Sequence, residues 1–258
     1  MLAIERKNLI LAKLQKENKV VVSELSQLFE VSEETIRRDL EKLDREGLAI
    51  KTYGGAVLNE NNNTELPFTV RENTNVAQKQ KIAEIVAGLI KDDSTIMLDA
   101  SSTALFVARN IKHKKNITLI TNSIEILVEL AEVSGWNILS TGGTVKEGSL
   151  ALIGNQAEKM LSSYHVDIAI VSSKGIDSIE GFSDSSETHS EIKKKMLDCA
   201  FKKILVVDSS KFDRISFKKI GVISDLTTVV TDCEPSDRWK KVFDSAKVEY
   251  LYPGKESL

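Results

Sequence analysis

The sequence predicts an α/β protein of two modules: a small helical domain closed by a β-hairpin, then a larger domain on a mostly parallel sheet. Three observations predict it. Apolar residues recur at helical spacing as far as Leu43, and a glycine-bearing hairpin stretch follows from Leu48 to Val57. Asn59 to Asn63 is a polar run with the composition of a linker. From about residue 76, short β-branched runs alternate with helical stretches, as in a parallel, twisted sheet covered on both faces.

In the first module, residues 3 to 17 read as a helix with Ile4, Leu9, Ile10, Leu11 and Leu14 as its apolar face. The stretch VSELSQLFE reads as a second, with Val22, Leu25, Leu28 and Phe29 along one side. Glu30 and Val31 leave room for a tight turn. Ser32 then N-caps a third helix whose first turn holds Glu33 and Glu34, where the helix dipole favours acids. Ile36, Leu40 and Leu43 form its buried stripe, and Thr35, Arg37, Arg38 and Lys42 lie off it. Gly47 ends this helix, and the hairpin carrying Gly54 and Gly55 takes the place of a wing. Two helices across a short turn, the second with Thr and Arg exposed near its start, form the DNA-reading helix-turn-helix pattern. A guanidinium fork suits guanine or phosphate, and the Thr hydroxyl suits phosphate or either base.

Charge gives this reading no help in bulk. The 258-residue chain has a net charge of −3, and residues 1 to 60 hold ten Lys or Arg against eleven Asp or Glu. Attraction to DNA must come from the local cluster Arg37, Arg38, Lys42 and Lys51. Hydrophobic residues make up 41% and charged residues 28%, ordinary for a soluble globular protein. Without an apolar run of membrane-spanning length or a secretory h-region, the expectation is a cytoplasmic protein with no membrane contact. Cys199 and Cys233 make neither a disulfide framework nor a metal cluster, and His113, His165 and His189 lack metal-site spacing. No metal and no cofactor is expected.

In the second module, Gln78 to Ile90 reads as a helix. Strands are expected at Thr95 to Leu98, Ile117 to Ile120, Asn137 to Leu139, Asp167 to Val171, Ile204 to Val207 and Thr228 to Val230. Helices at Thr103 to Ile111, Ile124 to Val133 and Glu187 to Phe201 separate most of them. Ligands of such sheets bind beyond the C-terminal strand ends. Those ends carry Asp99, Ser101, Ser102 and Thr103; Thr121 and Asn122; Gly142 and Gly143; Lys174; and Lys211. Free N–H groups at a helix start beside hydroxyls suit an anion, and paired glycines allow close backbone approach. Singly these are ordinary caps, turns and surface lysines. On one rim they describe a pocket for a phosphate and several hydroxyls. Neither GxGxxG nor GxxxxGK[ST] occurs, which argues against a nucleotide site.

VSEETIRRDLEKLDREG followed by KTYGGAV resembles the signature of the DeoR family of bacterial transcription regulators. The likeness extends to the second module through Asp99-Ala100-Ser101-Ser102-Thr103, Thr121-Asn122-Ser123, Gly142-Gly143, the helix from Glu187 to Met196, and Asp208 to Phe212. It implies a winged helix-turn-helix over residues 1–57 and a linker over 58–74. It also implies a sensor of phosphorylated sugars over 75–258, folded like sugar-phosphate isomerases. It places DNA contacts at Ser32, Thr35, Arg37 and Arg38 and, in the wing, at Lys51 and Tyr53. Lys174 stands where the family often has an acid before Gly-Ile-Asp, and Ala100 replaces a hydroxyl residue.

The expected function is a DNA-binding regulator, a repressor of a carbohydrate-utilisation operon released by a phosphorylated sugar. Its partners are double-stranded operator DNA, that effector and further copies of itself, as a dimer or tetramer, because one helix reads only a half-site. The alternative is a sugar-phosphate isomerase-like enzyme with an accessory DNA-binding domain, for which Asp99, Asp177 and Asp208 are available as bases.

Overall fold

The computed structural model describes residues 1–59 and 66–255. The chain forms two compact units, Met1–Thr74 and Asn75–Leu258. Of the Asn-rich run only Asn59 lies among the described residues, and Glu65 also lies outside them.

The first unit runs α1 (Ala3–Glu17), β1 (Lys19–Val21), α2 (Val22–Phe29), α3 (Glu33–Arg45), β2 (Ala49–Thr52), β3 (Gly55–Leu58) and α4 (Phe68–Asn73). Ile10, Leu11 and Leu14 of α1, Leu25 of α2, and Ile36, Leu40 and Leu43 of α3 meet in one core. Ile4 and Leu9, expected on the inner face of α1, are exposed. The face that packs runs through Arg6, Ile10, Leu11 and Leu14, and both residues lie about 100° or more around the helix from Ile10. Leu28 is exposed too, because α2 turns Val22 and Leu25 inward.

Between α2 and α3 the chain reverses through Glu30, which adopts a left-handed conformation at φ 53°. Ser26 Oγ donates to Val31 O at 2.6 Å and ties the turn together. The hairpin β2–β3 is extended to three antiparallel strands by β1, in the order β1-β3-β2. That third strand is only KVV, too short to show a period of two. Gly55 is required there, since a Cβ would lie 1.9 Å from Val20 O. The expected linker, 58–74, is structured in part: Leu58 ends β3, and α4 adds Val70 to the core. Asn8 Nδ2 also donates to Thr69 Oγ1 at 3.1 Å.

The second unit continues with α5 (Val76–Leu89), β4 (Thr95–Leu98), α6 (Ser102–Asn110), β5 (Thr118–Thr121), α7 (Ile124–Leu130) and β6 (Asn137–Ser140). Then come β7 (Thr144–Lys146), β8 (Ala151–Ile153), α8 (Asn155–Leu161), β9 (Val166–Ser172), β10 (Gly175–Asp177), β11 (Gly181–Asp184) and α9 (Glu187–Asp198). The unit closes with β12 (Ala200–Val206), β13 (Lys218–Gly221), β14 (Thr228–Val230), α10 (Asp237–Ala246) and β15 (Glu249–Leu251). Among the described residues, seven strands form one sheet in the order β15-β14-β12-β9-β4-β5-β6, with every pairing parallel.

Met97, Ile120, Ala169, Val171 and Leu205 face α8, α9 and α10. The alternate residues Ile96, Leu98, Leu119, Ile168 and Ile170 are equally buried, so both faces are covered, as a parallel sheet requires. Three differences from the sequence reading stand out. Helix α9 stops at Asp198, so Ala200 and Phe201 begin β12. A separate antiparallel sheet, β10-β11-β13, and the hairpin β7–β8 lie outside the main sheet. Strand β15 was not foreseen; it is three residues beside a lysine-rich helix. Among the described residues no helix is long and apolar enough to cross a membrane.

Candidate functional site

On α3, Ser32 caps the helix as expected, accepting from Thr35 N at 3.3 Å and lying 2.9 Å from Thr35 Oγ1. Arg37, Arg38 and Lys42 are exposed and point away from the core stripe Ile36, Leu40 and Leu43. Arg37 pairs with Glu33 at 2.7 Å and Arg38 with Glu34 at 3.2 Å, each one helical turn back. These exposed i,i+4 pairs are weak, about 0.3–0.5 kcal/mol, so a phosphate or a base edge can displace the glutamates. On the wing, Lys51 Nζ binds Glu41 at 2.7 Å, and Lys51 N donates to Asp44 Oδ1 at 3.0 Å, which fixes β2 against the end of α3. The Lys51 ammonium holds the Glu41 carboxyl below its usual range. Tyr53 is fully exposed at the hairpin tip.

Beneath this face, Arg6 of α1 reaches Asp39 of α3 at 2.6 Å, and both are buried. Local spacing does not pair the two residues, which are 33 positions apart. A cue was present in Asp39, which interrupts the apolar stripe between Ile36 and Leu40.

In the second unit, the topology singles out one crevice. From β4 the chain builds outward to β5 and β6. It then returns to place β9 on the other side of β4 and builds outward again to β12, β14 and β15. The direction reverses between β4 and β9, and ligands of open α/β sheets sit outside the strand ends at such a point. Asp99 follows β4, and its Oδ2 accepts from Ser172 N of β9 at 3.0 Å, across the crevice. Its Oδ1 accepts from Ser101 N at 3.2 Å, and Ser101 Oγ caps α6 through Ala104 N at 3.1 Å.

Lys193, on the inner side of α9, hydrogen-bonds Asp184 at the end of β11, and its Nζ lies 3.5 Å from Asp99 Oδ2. Lys193, Asp99 and Asp184 are all buried. Burial alone would raise the Asp184 carboxyl, but the Lys193 ammonium outweighs it and, with His189 and the Ser185 N–H, holds the pKa at about 2. Two carboxylates thus face one ammonium.

The remaining predicted residues fall into three groups. Ser101, Ser102, Thr103, Thr121 and Asn122 are buried at the ends of the adjacent strands β4 and β5. Gly142 and Gly143 follow the edge strand β6 and are exposed, with φ of 61° and 106°. At Gly143 a Cβ would lie 2.5 Å from Ile153 O. Lys174 and Lys211 are half-buried in the turns after β9 and β12, and Lys174 N donates to Ser183 O at 2.9 Å. Asp208, weighed above as a base, accepts from Ser210 N at 3.0 Å and holds the turn containing Lys211. The lysine that enters the carboxylate cluster is Lys193, which local spacing places only somewhere on the helix from Glu187 to Met196. Its signal was a charge beside the buried positions Ile192 and Met196. A shallow groove of about 470 Å³, lined by Ile179, Val222 and Val242, contains none of these strand-end residues.

Comparison with known proteins bears on both units. Residues 6–62 match the DeoR-like helix-turn-helix domain, and residues 74–233 match the DeoR C-terminal sensor domain. An uncharacterized HTH-type transcriptional regulator, YulB, of Bacillus subtilis is 39% identical over 96% of each chain. A putative aga operon transcriptional repressor of Escherichia coli O157:H7 is 31% identical over 88% of this chain and 86% of its own. An L-fucose operon activator of Haemophilus influenzae is 33% identical over 92% of this chain and 94% of its own. With a helix-turn-helix and a sensor domain of one family on a single chain, and relatives named as regulators and not as the isomerase-like enzymes weighed above, the protein belongs to the DeoR family of transcription regulators.

Proposed function

We propose that the chain is a cytoplasmic repressor of a carbohydrate-utilisation operon, released from its operator by a phosphorylated sugar. The observation that carries the effector reading is the buried polar cluster at the switch point: Asp99, Ser101, Ser102, Thr103, Thr121 and Asn122 at adjacent strand ends, with Lys193 beside them. Buried polar groups at such density are what a polyol ligand needs, and the half-buried Lys174 and Lys211 in the turns after β9 and β12 offer cations for a phosphate. Gly142, Gly143, Lys174 and Lys211 complete the proposed rim. Relatives named for an aga operon and for L-fucose support a carbohydrate pathway.

The DNA surface comprises Ser32, Thr35, Arg37, Arg38 and Lys42 of α3 with Lys51 and Tyr53 of the wing. A single α3 reads one half-site, so the active form is a homodimer or homotetramer on a symmetric operator. Release is linkage: an effector that binds the DNA-incompetent arrangement more tightly shifts the population off DNA.

A gel shift on the protein's own promoter region, with and without sugar phosphates, tests the whole reading. A retarded band abolished by one ester is expected, and no band under any condition rejects it. Arg37→Ala is expected to weaken operator binding by about 1–3 kcal/mol and relax preference at one base pair, read by fluorescence anisotropy on single-base operator variants. Unchanged affinity would move the reader off this helix. Ser102→Ala is expected to leave operator affinity intact while raising the effector concentration needed for release. A normal response would misplace the pocket.

A further inference from the structure

Asn122 is 2% exposed, and its Oδ1 is a buried acceptor with no hydrogen-bond partner. Its amide is not free to turn over. Asn122 Nδ2 donates to Leu152 O at 3.0 Å, while Leu152 N donates to Asn122 O at 2.7 Å. A carbonyl can only accept, so the NH2 group must face Leu152 and the oxygen must face elsewhere. The turn around it is equally fixed. Thr121 Oγ1 donates to Leu98 O at 2.7 Å and accepts from Ser123 N at 3.1 Å. Leu98 and Thr121 are register partners in the sheet, so Asn122 and Asp99 are the next residues on neighbouring strands.

An oxygen held in this way requires a donor, because a buried acceptor left unpaired bears the full cost of its desolvation. The phosphate of an effector cannot supply one: near neutral pH its second pKa of about 6 is passed and its oxygens are acceptors. The neighbouring groups point the same way, because Asp99 and Asp184 place two carboxylates against the single Lys193 ammonium. This end of the site repels a dianion and welcomes O–H donors.

We infer that Asn122 is a specificity-determining residue whose Oδ1 accepts a hydrogen bond from one hydroxyl of the effector, so that the effector enters with its hydroxylated end toward the switch point and its phosphate outward. The inference rests on the sugar-phosphate reading above and adds the orientation and the group that is read. A site built to pair a hydroxyl discriminates strongly against the analogue lacking it.

The test is calorimetric titration of the full chain with ribose 5-phosphate, fructose 6-phosphate, glucose 6-phosphate, glycerol 3-phosphate and inorganic phosphate, followed by the monodeoxy forms of the tightest ester. One deoxy form is expected to bind at least about tenfold more weakly than its parent, and Asn122→Ala is expected to bind the two alike. If the variant keeps the full discrimination, Asn122 is not the reader, while the sugar-phosphate reading stands. If the variant does not fold, the wild-type series decides: a loss below tenfold for every deoxy form overturns the inference. Inorganic phosphate binding as tightly as the best ester also overturns it. Binding by none of the esters removes the sugar-phosphate reading and this assignment together.

Discussion

Lys193→Met is expected to lower the melting temperature of the sensor unit by about 10 °C at neutral pH. Removing one partner of a buried ion pair costs about 3–5 kcal/mol, because the other charge is left desolvated. For a domain of this size each kcal/mol moves the midpoint by about 2–4 °C. Here two carboxylates lose their counter-charge, Asp184 and Asp99, both buried.

The pH dependence identifies the pair responsible. Asp184 sits at about 2 in the folded chain against an ordinary 3.8, so its contribution is complete above about pH 4 and drains away as pH falls toward 2. That contribution amounts to about 2 kcal/mol. The difference in melting temperature between wild type and Lys193→Met is therefore largest at pH 7 and shrinks by pH 3, where the Asp184 carboxyl of the variant is protonated. Scanning calorimetry at the two pH values checks it. A difference that stays constant with pH would show that Lys193 acts by packing its stem and not by its charge.

The legible and illegible parts of this chain differ in a physical way. Strands β4, β5 and β14, β9 beyond Asp167, and the 204–206 end of β12 are short apolar runs largely buried on both faces, and such runs announce themselves without any partner. The capped helix α3 was equally plain, because Ser32, two glutamates and a stripe of three apolar residues all agree. The three-residue strands β1, β7, β8, β10 and β15 had no such signal: they exist through pairing, and three residues are too few to show a period. The site followed the same division. Asp99, Thr121 and Asn122 sit at the ends of legible strands and could be named from them. Asp184 and Lys193 reach the same crevice from the antiparallel sheet and from α9. Their approach depends on the tertiary path of the chain, which local spacing does not contain. By position alone, Glu33 and Glu34 suit the helix dipole. The structure shows both also clamping Arg37 and Arg38.

Arg6→Met is expected to abolish operator binding while leaving the proposed sugar-phosphate binding by the second unit unchanged. Arg6 Nε meets Asp39 Oδ2 at 2.6 Å with both side chains buried, and this bond joins α1 to the middle of the proposed reading helix. Removing the guanidinium strands the Asp39 carboxylate, again at about 3–5 kcal/mol. A unit of this length has a total stability of only about 4–11 kcal/mol at 0.05–0.15 kcal/mol per residue, so the loss consumes much of its margin. Hydrogen exchange should then quicken across α1, α2 and α3 and remain slow in the parallel sheet. The double variant Arg6→Met with Asp39→Leu removes both charges and is expected to recover most of the lost protection, because a buried pair exchanged for apolar groups of similar size is often neutral. Recovery in the double variant, set against loss in each single one, measures the coupling between the two residues. If Asp39→Leu alone is as stable as wild type, the carboxylate is not what Arg6 holds in place, and the stability of α3 must come from the Ile36, Leu40 and Leu43 stripe instead.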